Sequence, residues 1–121
     1  GLPPLMMQRA HLREIMVNLL VNAREAAGEN GIVQVSCRPS PQYAIELRVK
    51  DSGEGIPPDQ REQIFEAYFT TKKKGTGLGL AIVKQNTELY GGEIVVESEL
   101  GVGTEFILTF PTRVLLQENE S

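Results

Sequence analysis

The sequence predicts a two-layer α/β sandwich, in which three helices pack against a mixed, mostly antiparallel sheet. Apolar residues recur at helical spacing in two long segments and alternate with polar residues in four short ones, and glycine- or proline-rich turns separate the segments. The 121 residues are enough for one core and one domain. We expect this core to occupy about residues 5–112 and the polar tail 114–121 to be frayed.

The first helix is predicted over Gln8–Ala27, because apolar residues fall three and four positions apart until Gly28 ends the pattern. Two alternating runs, Ile32–Cys37 and Tyr43–Val49, follow and predict a hairpin that turns at Pro39–Gln42. The later elements are predicted as a turn over Asp51–Pro58, a short helix over Asp59–Phe65, a loop over Glu66–Thr76, a helix over Gly77–Leu89, and strands over Glu93–Glu97 and Thr104–Phe110.

The composition is that of an ordinary globular chain, with 40% apolar and 23% charged residues. A net charge of −4 gives no global electrostatic support to a nucleic-acid or anionic-membrane partner, so no nucleic acid is expected. Lys72–Lys74 form a local basic run in a glycine-rich segment, which suits a small anion. The single Cys37 suits a reducing compartment and is expected to be a buried structural thiol. The cytosol is therefore the expected location of this chain, whether or not its parent protein is anchored in a membrane.

A polar stripe runs along the first helix, where Glu14, Asn18 and Asn22 recur every four residues. A solvated helix flank is one interpretation. However, asparagine is a mediocre helix former, and a carboxamide oxygen is a suitable neutral ligand for Mg²⁺ that is shared with phosphate oxygens.

Asp51 directly follows a predicted strand. A carboxylate there can accept a hydrogen bond from the exocyclic amine of adenine, whereas guanine presents a carbonyl at that position. Gly53 and Gly55 would let the backbone turn tightly against a planar base. A plain Asp-Ser-Gly turn is the alternative.

The segment Gly75–Leu80 is the candidate phosphate site, because its glycines and the start of a helix offer free amides to an anion. The spacing does not match a P-loop, and no strand precedes the glycines as in a dinucleotide-binding fold. Gly101–Thr104 is typical of a hairpin turn, and Thr104 matters only if its hydroxyl shares a cleft with Asp51. His11 is expected on the surface at the helix start. No nucleophile, base and orienting group can be combined from this sequence.

In this order, the patterns resemble the catalytic and ATP-binding domain of bacterial sensor histidine kinases, whose fold is shared with gyrase B, Hsp90 and MutL. The compact Phe-Thr-Thr-Lys segment is most similar to that of nitrogen- and oxygen-responsive kinases. Asn18–Asn22 resembles the family's asparagine box, and Asp51–Gly55 resembles its first glycine box. Phe65–Lys72 resembles the phenylalanine box, with Ala67 replacing the usual proline. Gly75–Leu80 and Gly101–Phe106 resemble the second and third glycine boxes.

The resemblance implies that Asn22 ligates Mg²⁺ with support from Asn18, that Asp51 contacts adenine, and that a lid runs from about Phe69 to Gly77. We expect this lid to be mobile without nucleotide and to close over ATP. The ATP-binding residues that the resemblance implies are Asn18, Asn22, Asp51, Gly53, Gly55, Ile56, Phe69, Lys73, Lys74, Gly75, Thr76, Gly77, Leu78, Gly79, Leu80 and Thr104.

Two departures from the wider family bear on the chemistry. Asn18 stands where gyrase, Hsp90 and the anti-sigma kinases carry a glutamate base, which disfavours water activation. Glu25 stands where many histidine kinases carry a basic residue, so the lid lysines would have to meet the phosphate charge. His11 does not match the family's phospho-accepting motif.

The resemblance therefore implies the ATP-binding half of a protein-histidine kinase, monomeric in isolation, with ATP and Mg²⁺ as cofactors. Its partners would be a dimerisation domain carrying the acceptor histidine and a downstream response regulator of a two-component system. An autonomous ATPase and a non-catalytic nucleotide-binding module remain alternatives.

Overall fold

The computed structural model describes residues 7–40, 44–69 and 78–111. Two α-helices, α1 (Arg9–Ala27) and α2 (Gly79–Leu89), lie on one face of the sheet. The strands are β1 (Val33–Ser40), β2 (Ala44–Asp51), β3 (Glu93–Glu99) and β4 (Gly103–Pro111). The α/β fold class is thereby confirmed.

The four strands are ordered β1-β2-β4-β3, and every pairing between the described strands is antiparallel. The central strands β2 and β4 place Val49 opposite Phe106, and both side chains are fully buried. Their alternation follows the period of two that a half-buried strand requires. The sheet thus presents one apolar face to the helices and one polar face to solvent.

The core lies between this apolar face and the two helices. The spacing of three and four along α1 brings its apolar residues onto the sheet, and α2 adds Val83. The buried residues at the centre are Ile15, Leu19, Ala23, Leu47, Val49, Ile64, Val83, Phe106, Leu108 and Phe110. Neither α-helix among the described residues is long and apolar enough to cross a membrane.

The prediction of a turn at Pro39–Gln42 is wrong at its start, because β1 continues through Pro39 to Ser40. A proline is tolerated there because β1 lies at the edge of the described sheet, where a missing N–H breaks no ladder bond. The remaining residues of that predicted turn lie outside the described ranges.

The single short helix predicted over Asp59–Phe65 is also wrong. The structure has two 3₁₀ helices, Pro58–Gln60 and Gln63–Phe65. A segment this short gains too few i→i−4 bonds to repay helix nucleation. The burial of Ile64 in the core fixes the position of this segment instead.

The predicted burial of Cys37 is wrong, since its side chain is exposed. Cys37 lies opposite the buried Leu47 and therefore shares the apolar side of the sheet. The neighbouring inward position, Val35, is also 48% exposed. Val33 at the start of β1 packs against the core, so the described helices cover the start of this strand and not its later inward positions. The alternation of the strand alone does not reveal this difference.

His11 was expected on the surface but is half-buried. Its Nδ1 lies 2.5 Å from the hydroxyl of Tyr90, just beyond the end of α2, and the two rings meet edge to face. The backbone N–H of Gln8 donates to the same hydroxyl. The start of α1 is thus fixed to the end of α2.

Candidate nucleotide site

Asp51 ends β2 and is only 2% exposed. Its Oδ1 accepts a hydrogen bond from the backbone N–H of Gly53 at 2.8 Å. A Cβ atom on Gly53 would come within 2.4 Å of the carbonyl oxygen of Ala26, so glycine is needed for this loop to approach α1. The carboxylate is therefore held at the strand end, beside the last turns of α1.

Thr104 pairs directly with Asp51 across β2 and β4 and is 5% exposed. At Gly103 the backbone has φ +149°, and a Cβ atom there would lie 2.0 Å from the carbonyl oxygen of Asp51. Close contact between the two strands thus depends on a glycine. Thr104 therefore lies beside Asp51, and its hydroxyl lies 2.8 Å from that of Ser98. That this hydroxyl shares a cleft with Asp51 stays a prediction.

Ser98 connects three parts of the site and was missed from the sequence. Its Oγ accepts the N–H of Ile56 at 2.7 Å, lies 2.8 Å from the Thr104 hydroxyl and donates to the carbonyl of Gly103 at 3.1 Å. Arg61 donates to the carbonyl of Ser98. The sequence does hold a clue to Ser98. It is a serine on the inward-facing side of β3, where the preceding positions, Ile94 and Val96, are apolar.

The polar stripe of α1 faces the start of α2. Asn18 is half-buried, and its Nδ2 donates to the carbonyl of Glu14 at 2.7 Å. Its Oδ1 would lie 3.0 Å from a Cβ atom on Gly79, so a side chain there would crowd the asparagine. Asn22 is also half-buried, one turn further along the same face.

Among the described residues, no side chain caps the start of α2, where Leu78 is the N-cap residue and is half-buried. The first turn of such a helix offers N–H groups and the positive end of the helix dipole, which together suit an anion. Ile56, Phe69 and Leu80 are half-buried and pack against the core. The remaining lid and phosphate candidates, Lys73, Lys74, Gly75, Thr76 and Gly77, lie outside the described residues.

The described candidates thus form three sides of one region, namely the polar stripe of α1, the loop after Asp51 and the start of α2. The model of the family described as "Histidine kinase-, DNA gyrase B-, and HSP90-like ATPase" matches residues 7–114. The chain belongs to this ATPase family.

Individual members show the same relationship. The sensor histidine kinase ZraS of Escherichia coli is 41% identical over 113 residues, which are 93% of this chain and 24% of ZraS. The chain thus spans about a quarter of the length of this curated relative. The mycobacterial sensor histidine kinase MprB matches with a TM-score of 0.83 and 32% identity over 90% of this chain and 77% of that one. Full-length ShkA, solved in complex with AMPPNP, matches with a TM-score of 0.80 and 35% identity over 91% of this chain and 23% of that one.

The Asn18 and Asn22 side chains of α1 are arranged in a way that suits a Mg²⁺ site. Asn22 lies on the same helical face as Asn18, one turn closer to the loop after Asp51. A neutral carboxamide oxygen suits a small hard cation that takes its other ligands from phosphate and water. The distance of only 3.0 Å from Asn18 Oδ1 to a Cβ atom built on Gly79 shows how closely the start of α2 approaches this stripe.

Proposed function

We propose that this chain binds Mg-ATP and presents the γ-phosphoryl group to a histidine on a separate dimerisation domain of a sensor kinase. The observation that carries the proposal is the buried Asp51 carboxylate, fixed by Gly53, paired with Thr104 and facing the region beside α1. The membership of the ATPase family and the likeness to ShkA, which was solved with AMPPNP, support it.

The adenine ring would lie against the loop after Asp51, with its exocyclic amine donating to the carboxylate. Gly55 helps to shape this loop, since it has φ +84° and a Cβ atom there would lie 2.5 Å from the carbonyl of Glu99. Ile56 and Leu80 would supply apolar contacts. Thr104 would assist through its hydroxyl, which Ser98 orients.

The phosphates would extend from this loop towards the start of α2. Leu78 and Gly79 would donate backbone N–H groups, and Asn22 would ligate Mg²⁺ with support from Asn18. Bound Mg²⁺ would neutralise phosphate charge. We propose Lys73, Lys74, Gly75, Thr76 and Gly77 as further phosphate contacts, with Phe69 at the base of the segment.

Phosphoryl transfer depends mainly on positioning and charge neutralisation. This chain therefore needs no nucleophile of its own, and the acceptor imidazole would attack phosphorus in line. Asn18 cannot act as the general base that an autonomous ATPase of this family uses, which makes ATP hydrolysis the weaker candidate. The response regulator, the cytosolic location and the monomeric state of the isolated chain belong to the same proposal.

The test uses γ-labelled ATP and the purified chain, with and without the dimerisation domain of its parent protein. We expect label on that domain's histidine only when both parts are present. The variant Asn22→Ala should abolish transfer, whereas Asn30→Ala, a change at an exposed asparagine of the following loop, should not. Free phosphate from the chain alone would support an ATPase instead, and binding without either product would support a non-catalytic module.

A further inference from the structure

The helices α1 and α2 meet at three levels, in one close approach and two polar contacts. Near the site, the Asn18 amide faces Gly79. In the middle, Nδ2 of Asn86 donates to Oε1 of Glu14 at 3.0 Å. At the far end, His11 contacts Tyr90. The middle contact has no part in the proposed nucleotide site, and its role is not explained by packing alone.

Asn86 is 8% exposed, whereas Glu14 is exposed, so the hydrogen bond between them is partly buried. Its bond to Glu14 has a charged acceptor, and such bonds are stronger than neutral ones. An apolar interface can slide with little change in buried area, but a buried amide that donates to a carboxylate on the facing helix favours a single register. Together with His11 and Tyr90, the pair thus constrains how far α2 is displaced along α1.

This displacement matters at the other end of the same helices. The carbonyl of Glu14 accepts the Asn18 Nδ2, so one residue contacts both Asn86 and the proposed support of the metal ligand. Gly79 lies seven residues before Asn86, about 10 Å along the helix axis. A shift of α2 at Asn86 is therefore transmitted to the start of α2, where Gly79 already approaches Asn18 closely.

We propose that Glu14 and Asn86 are a positioning pair for the reaction of this site. They set the distance between the phosphate-binding start of α2 and the metal ligand Asn22 without touching nucleotide themselves. This inference rests on the proposed function, because it assigns a role in holding the phosphates. It predicts that breaking the pair weakens triphosphate binding but leaves adenine recognition by Asp51 intact.

The test compares ATP with adenosine, both titrated into the whole chain in the presence of Mg²⁺ and followed by NMR at the Gly53 amide. The variant Asn86→Leu should weaken ATP at least fivefold and change adenosine affinity less than twofold. Glu14→Gln keeps a carboxamide oxygen that can accept from Asn86, so it should stay close to wild type. Gln85→Leu is the matched control, since it makes a similar change at an exposed position of α2.

Two outcomes overturn the positioning role: unchanged ATP affinity in Asn86→Leu, or an equal loss for ATP and adenosine. If Asn86→Leu does not fold, the double variant Glu14→Leu/Asn86→Leu replaces it, because two apolar residues leave no unpaired buried group. The same selective loss of ATP is expected there. Failure of the wild-type chain to bind ATP would instead overturn the proposed function, so the two failures are distinguishable.

Discussion

Asp51 is held by contacts within the protein. Its carboxylate accepts the Gly53 N–H, and β4 holds Thr104 opposite it. An asparagine at this position keeps an oxygen for Gly53 but replaces the other acceptor with an amide that opposes the adenine amine. In the proposed binding mode, one atom of one residue would therefore decide base recognition.

The substitution Asp51→Asn should weaken ATP binding at least tenfold, since losing a hydrogen bond to a charged group costs about 1.5–3 kcal/mol. Isothermal titration calorimetry measures the change. Lys50→Gln is the control, because Lys50 is exposed and is the preceding residue of the same strand. Equal ATP affinity in the Asp51→Asn variant and wild type would show that the carboxylate does not contact the base.

Among the described glycines, Gly103 leaves the least room for a Cβ atom. Alanine there would meet the carbonyl oxygen of Asp51, whereas alanine at Gly101, with φ +82°, would meet nothing within 4 Å. We expect Gly101→Ala to lower the free energy of unfolding by about 1–2 kcal/mol through its backbone conformation alone. Gly103→Ala should cost more and should also weaken ATP, because Asp51 must move. Urea unfolding and calorimetry check both variants, and equal losses in the two would contradict the close-contact argument.

At the scale of the elements, the outer face of the sheet is held by charges. Glu46 accepts hydrogen bonds from Arg48 at 2.8 Å and Arg38 at 2.7 Å, and Arg48 also reaches Glu105 at 3.3 Å. The bonds from Arg48 and then Arg38 lower the pKa of Glu46 from its ordinary 4.5, although burial acts in the opposite direction. The Glu46 carboxylate raises the pKa of Arg48 in turn. These contacts link β1, β2 and β4.

Because the folded pKa of Glu46 is lowered, its contribution to stability is fully present above pH 4.5 and is lost as the pH falls through the lowered value. We expect Glu46→Gln to reduce the melting temperature slightly at pH 7 and to match wild type at pH values well below 4.5. High salt should shrink the difference at pH 7. Thermal unfolding at several pH values tests this, with Glu88→Gln on the exposed side of α2 as the control. A difference that is independent of pH would exclude the ion pairs as its cause.

At the scale of the whole molecule, nucleotide binding should stabilise the fold, because the site combines α1, the loop after Asp51 and α2. A ligand at 100 times its Kd adds about 2.7 kcal/mol to the free energy of unfolding. For a domain of this size, the melting temperature should rise by an amount on the order of ten degrees. We expect this rise with Mg-ATP and not with Mg-GTP at the same concentration. Differential scanning fluorimetry measures it, and an equal rise with both nucleotides would contradict recognition of adenine.

The dependence on metal should be visible in the same measurement. Removing Mg²⁺ with a chelator should reduce the rise caused by ATP, and Asn22→Ala should make the rise insensitive to the chelator. Asn30→Ala, at an exposed position, provides the matched control. A chelator effect that persists in Asn22→Ala would place the metal ligand elsewhere.

The sequence by itself determined the features that depend on local spacing. The apolar repeat of α1, the alternation of β2 and β4, and the turn after Asp51 were predicted from neighbouring residues, and the structure contains them. The resemblance to the ATPase family was visible in short motifs and is confirmed by the match over residues 7–114. Local periodicity is sufficient here because each pattern reports which face of its own element is buried.

Only the tertiary structure decided which distant residues meet. Glu14 and Asn86 are 72 positions apart, and His11 and Tyr90 are 79 apart, so no local pattern predicts their contacts. Ser98 acquires its role because the loop after Asp51 and the turn before β4 converge on it. Cys37 is exposed because the described helices cover only the start of β1, at Val33. Each outcome depends on how the elements are displaced relative to one another, and packing across the core sets that displacement.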